Sequence, residues 1–242
     1  MRNPYDVKVL IGCEKSRVVA QAFEDLGFDS WSCDIEPADV PSNRHIVGDV
    51  RDVMKMADWD LLCVMHPPCT RLCNSGVRWY TEPPTNPPST CTPKEAANWA
   101  ALNRDEKLAM LWHHLDLGAD LFSDCWNTDI PLVAIENPVM HRYAKERIRN
   151  FKKHAMSCQP WEHGHEKDGA DNVKKRTMFW LRNLPVFKPT GSLDGSTARS
   201  DVHMASPGKN RGAERSKFFP GMARAMAETW GAVALQKMEI AA

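Results

Sequence analysis

The chain has 242 residues, 43% of them apolar and 26% charged, enough for one domain with a proper core. Its 31 basic and 31 acidic side chains cancel, which argues against a protein that grips duplex nucleic acid through bulk charge. No run approaches the about 20 apolar residues of a membrane span, and Arg2, Asp6 and Lys8 break the only candidate leader, so a cytoplasmic protein with eight reduced cysteines is expected.

Residues 7–13, VKVLIGC, form a short apolar run with β-branched residues and read as a buried parallel strand. Val18, Val19, Ala22, Phe23 and Leu26 then recur at helical spacing, with Ser16 as the expected N-cap and Gly27 as the C-cap. A second strand is predicted over 28–35, ending at Asp34. This βαβ start predicts an α/β sheet. HIVGDV at 45–50 is a shorter strand, and DLLCVMH at 60–66 is a strong one, stopped by Pro67-Pro68.

Residues 74–98 change character. They carry Pro83, Pro84, Pro87, Pro88 and Pro93 among small polar residues, and read as a long Pro-rich loop, the kind usually tied to function. A helix is predicted over 103–124, with Leu108, Leu111, Leu115, Ala119 and Phe122 on one face. PLVAIEN at 131–137 and RTMFWLRN at 176–183 are further strands. Residues 188–216 are rich in Gly, Ser, Pro and charge and read as loop, and a last helix starts near 221. The whole of 1–242 is expected to be a single domain. There is no CxxC and no metal site is expected; Cys13, Cys33, Cys63 and Cys125 read as small apolar packing.

Two of the apolar strands end in chemically useful residues: HPPC at 66–69 and ENP at 136–138. In open α/β sheets, ligands bind beyond the carboxyl ends of the strands. If these two strands are parallel neighbours, Cys69 and Glu136 face one crevice. A thiol beside a carboxyl group suits covalent chemistry on a pyrimidine: sulfur adds to C6, an acid protonates N3, and C5 becomes nucleophilic. The thiol needs a nearby positive charge, for which Arg71 and Arg78 are close in sequence.

In this order the motifs resemble those of the DNA (cytosine-5) methyltransferases. The resemblance rests on Pro67-Pro68-Cys69-Thr70, Glu136-Asn137-Pro138, Asp34-Ile35-Glu36-Pro37-Ala38, Gly48-Asp49-Val50, Lys174-Lys175-Arg176-Thr177 and Phe219-Pro220-Gly221-Met222, and spans nearly the whole chain. It is nearer to a compact branch carried by phages and mobile elements, seen in HPPCTRLCNSGVRW, IENPVMHRYA and RSKFFPGMARAMAETWG. It implies a Rossmann-like, doubly wound, mostly parallel sheet and S-adenosylmethionine as methyl donor. Cys69, Glu136, Asn137, Lys175 and Arg176 are then the catalytic set. Gly12, Cys13, Glu14, Asp34, Ile35, Asp49, Val50, Pro67, Gly221 and Met222 are the donor-binding set.

Three features differ from the family. The first loop, Ile11-Gly12-Cys13-Glu14-Lys15-Ser16, has one glycine. Lys175 and Thr177 stand where two arginines are usual. Too few residues separate Thr177 from Pro220 for the usual target-recognition domain. The expected partner is therefore cytosine in DNA, with a single strand or a free cytosine nucleotide as the alternative, and an inactive nucleic-acid-binding or regulatory protein as a further one. Residues 141–153, rich in Lys and Arg, are either a phosphate-facing surface or a solvated helix face. Trp79, Tyr80 and Trp99 either stack on a base or anchor the loop.

Overall fold

A computed structural model describes residues 3–200 and 218–240. The strands are β1 Lys8–Gly12, β2 Asp29–Asp34, β3 His45–Val47, β4 Leu61–Val64, β5 Leu132–Asn137, β6 Met156–Cys158 and β7 Thr177–Arg182. The helices are α1 Val18–Glu24, α2 Val50–Val53, α3 Pro93–Asn98, α4 Arg104–Trp126, α5 Arg142–Arg147 and α6 Pro220–Ile240. The strands form one sheet in the order β3-β2-β1-β4-β5-β7-β6. β1 to β5 are mutually parallel, and β7 runs antiparallel to both β5 and β6. This is the expected α/β fold: a doubly wound, mostly parallel, Rossmann-like sheet.

Alternation along the strands divides the core between two faces. Val9, Ile11, Leu61, Cys63 and Ala134 pack with Phe23 of α1 and Met226 and Trp230 of α6. Leu10, Leu62, Val64, Val133 and Ile135 pack on the other face with Leu115 and Phe122 of α4. No described helix is long and apolar enough to cross a membrane.

Several boundaries differ from the sequence reading. Ser16 does not cap α1. Arg17 occupies the N-cap position at φ 60, and the caps come from Glu14, whose carboxylate accepts the Val19 and Ala20 amides at 2.7 and 3.2 Å. The segment 74–98 is not all loop: a 3-10 helix covers Asn74–Tyr80, and a capping box at Thr92 starts α3. Of the expected loop 188–216, residues 188–200 are tied down by main-chain bonds from Gly191 to Glu162 and from Arg199 to Asn172; 201–216 lie outside the described residues.

Candidate active site

A cleft of about 590 Å³ opens at the carboxyl ends of β1, β2 and β3. Cys13, Asp34, Ile35, Asp49 and Val50 line it, together with Pro68 rather than Pro67. α4 forms the opposite wall through Leu117, Gly118 and Leu121. Asp34 accepts the Glu36 amide at 3.0 Å, and burial raises its pKa. Ile35 beside it is 77% exposed, an apolar surface offered to the cleft. Asp49 caps α2 and is held by Arg51, whose hydrogen bonds lower its pKa.

The other expected donor-binding residues sit outside this lining. Gly12 makes room for Val50: a Cβ there would lie 2.5 Å from Val50 Cγ2. Glu14 is fully buried as the cap of α1, and burial pushes its carboxyl up to about 7. Gly221 starts α6 against Asp171, whose Oδ1 accepts its amide at 2.8 Å. A Cβ on Gly221 would meet the His163 carbonyl oxygen at 2.4 Å. Met222 is buried, with its sulfur 3.3 Å from Cys158 Sγ.

The sheet register sets the second half of the site. Val64 of β4 is paired with Ile135 of β5, so the chain leaves β4 level with Glu136 and Asn137. Cys69 lies on that exit, half-buried. Its thiol is pushed up to about 12, first by burial and then by the negative charge of Glu136. Burial holds the Glu136 carboxyl at about 7, with Lys175 opposing. Asn137 is fully buried, and neither of its side-chain polar atoms has a partner among the described residues.

Main-chain bonds stitch the two strand exits together. Asn74 N–H donates to the Val139 carbonyl at 2.9 Å, and His141 N–H to the Leu72 carbonyl at 3.1 Å. The Arg71 carbonyl accepts the Tyr80 hydroxyl and His141 Nε2, each at 2.7 Å. His141 Nδ1 accepts the Ala144 amide and so caps α5. Both ring contacts require the neutral Nε2–H tautomer, and burial lowers the His141 pKa. Cys69 is thereby fixed against the loop that follows Glu136.

The cation at the thiol is Lys175, not Arg71 or Arg78. Lys175 favours the charged forms of both Cys69 and Glu136. It gets there because β7 is antiparallel: Asn137 pairs with Met178, so the entry to β7 lies at the carboxyl end of β5. Arg176, next in the chain, is exposed. Three residues that the sequence analysis gave no site role stand close by. His66 lines the cleft, with its buried Nε2 unpartnered among the described residues, and packs on Phe218 at 5.7 Å. Lys175 lies over the Phe219 ring at 5.6 Å. His66 opens the HPPC run and Phe218 and Phe219 close the RSKFF run, but nothing in either run marks these side chains for the site.

The aromatic residues of the loop anchor it. Trp99 is buried and donates to the Pro84 and Thr85 carbonyls, and Tyr80 is buried at 4% exposure. In the basic segment, Arg147 and Arg149 pair with Asp116, Asp120 and Asp124 of α4. Among the described residues no cluster of three or more His, Cys, Asp or Glu side chains is arranged to hold a metal.

No protein-family model matches the sequence, and neither does any curated protein. Among solved structures, the chain is similar to an E. coli prophage-encoded protein described as a candidate DNA modification methyltransferase, with 12% identity and a TM-score of 0.36. The match covers 76% of this chain and 51% of that one, so the chain spans about half the length of that protein.

Proposed function

We propose that this protein transfers a methyl group from S-adenosylmethionine to C5 of cytosine in DNA, through a covalent adduct on Cys69. The observation that carries this reading is the pairing of a half-buried thiol with a carboxyl of pKa about 7 at the ends of adjacent parallel strands, beside a cleft at β1 and β2.

The cleft fits the donor in its chemistry. Asp34 offers a carboxylate for ribose hydroxyls, and Ile35 and Val50 offer apolar faces for a flat base. When bound, the donor supplies an electrophilic methyl.

The residues of the chain supply the rest. Cys69 Sγ bonds to C6, and the displaced π electrons are taken up at N3, which gains a proton. The thiol is neutral at pH 7, so a proton leaves sulfur as one arrives at N3. A carboxyl near its midpoint takes the first and gives the second, and Glu136 fills that role. Lys175 favours the thiolate. Asn137, buried with donor and acceptor atoms that have no partner among the described residues, orients the base edge. After C5 has gained the methyl its proton leaves to solvent, the C5–C6 double bond re-forms and sulfur leaves, while the N3 proton returns through Glu136 to sulfur.

Calorimetry with S-adenosylhomocysteine tests the cleft. Asp34→Ala is expected to weaken binding by about 1–3 kcal/mol, and unchanged affinity removes Asp34 from the site. Methyl transfer to duplex DNA, single strands and dCMP then identifies the acceptor; donor binding without transfer to any of them favours the inactive regulatory reading.

A further inference from the structure

Arg71 is buried to 4% exposure, yet it lines the cleft. Its main chain is fixed by Tyr80 and His141, so its side chain reaches the cleft from a rigid anchor. Its Nε and Nη2 both donate to Thr90 Oγ1, at 3.0 and 2.9 Å. With its lone pairs so engaged, Thr90 gives its one hydrogen to His114 Nδ1, at 3.1 Å. The His114 ring proton then sits on Nε2, 3.2 Å from Glu95 Oε1. Along this chain of bonds the nearest opposite charge to Arg71 belongs to Glu95.

Other arginines of this chain are placed differently. Arg17, nearly as buried, lies on Glu24; Arg51 lies on Asp49, and Arg147 on Asp116. Among the described residues no carboxylate forms an ion pair with Arg71, and no hydrogen bond engages its Nη1. A buried guanidinium without a counter-charge is strongly unfavourable, and its planar fork matches an oxyanion that accepts two hydrogen bonds at once.

We propose that Arg71, braced by Thr90 and His114, is the seat for an oxyanion in the cleft. Two sources share this chemistry: the carboxylate at the amino-acid end of the methyl donor, and a phosphate of the nucleotide acceptor. The identity of the occupant rests on the methyltransferase reading; the oxyanion chemistry does not.

The test compares Arg71→Met with wild type against two ligand pairs, each differing by the anionic part. One pair is S-adenosylhomocysteine and methylthioadenosine, the other dCMP and deoxycytidine. The expected result is a loss of roughly 10- to 100-fold for the anionic member of one pair only, with partial recovery in Arg71→Lys. The affected pair names the source. Inorganic sulfate, at ionic strength matched with chloride, is expected to raise the melting temperature of wild type but not of Arg71→Met. If wild type binds none of the four ligands while the sulfate effect depends on Arg71, the methyltransferase reading fails and the oxyanion seat stands. Equal losses for all four ligands, or unchanged affinities with the sulfate effect retained, overturn the seat. Should Arg71→Met not fold, Arg71→Lys and Thr90→Val carry the same comparison with a smaller selective loss, and a non-selective loss in both overturns it.

Discussion

At neutral pH the Glu136 carboxyl is near its midpoint, which suits proton transfer and costs stability. Its pKa is raised from 4.5 in the unfolded chain to about 7, so the folded state holds the proton more tightly. Its contribution is therefore favourable at low pH and is lost as pH rises between these two values. Glu136→Gln is expected to abolish most methyl transfer while making the protein more stable at pH 8, by at most roughly 2–3 kcal/mol. The gain should vanish below about pH 4.5. Urea unfolding at both pH values checks this, and a loss of stability at pH 8 would contradict it. Single residues differ in how legible they are. Cys69 and Glu136 stand out in the sequence because each ends an apolar run. Arg71 looks like a helper of the thiol because it is near in sequence, but its side chain lines the cleft, and the positive charge that acts on the thiol is Lys175, from far along the chain.

The elements show why the strand exits hold still. His141 joins them, accepting from Ala144 and donating to the Arg71 carbonyl, and both contacts need a neutral ring. Because burial lowers its pKa, His141 contributes stability above about pH 6.5, and that contribution is lost as pH falls below it. His141→Ala is expected to cost about 2 kcal/mol at pH 8 and less at pH 5, because below about pH 6.5 the unfolded chain takes up a proton more readily than the folded ring does. A pH-independent loss would contradict this. Tyr80→Phe should cost about 1 kcal/mol and reduce kcat, because the Arg71 carbonyl keeps only His141. Helices α4 and α6 and strands β1, β2, β4, β5 and β7 are legible because their apolar patterns are long or continuous. β6 and α5 are too short for a period to show. The cap of α1 is hidden because Glu14 reaches it across a loop, in place of a local Ser or Asp.

At the scale of the molecule, pairing decides what no local pattern shows. The insertion of β7 between β5 and β6, antiparallel to both, brings Lys175 to the carboxyl end of β5, on the side of the sheet where Cys69 lies. The cytosine-5 resemblance depends on motif order, whereas the site depends on this strand order. The same view bears on the acceptor. The chain is neutral, and Arg51, Arg147 and Arg149 are already matched by carboxylates of α4. Drawing a cytosine out of a duplex costs a few kcal/mol, and least when the strand is single. Initial rates on matched oligonucleotides are expected to be equal or higher on single strands than on duplex; a clear duplex preference at a strict site would contradict that.

The covalent step is tested most directly with DNA containing 5-fluorocytosine, which lacks the C5 proton whose loss frees the enzyme. Incubated with S-adenosylmethionine, the wild-type protein should form a stable adduct, and peptide mass spectrometry should place it on Cys69, with none formed by Cys69→Ser. An adduct on Cys73, or methylation of ordinary cytosine by Cys69→Ser, would contradict the account.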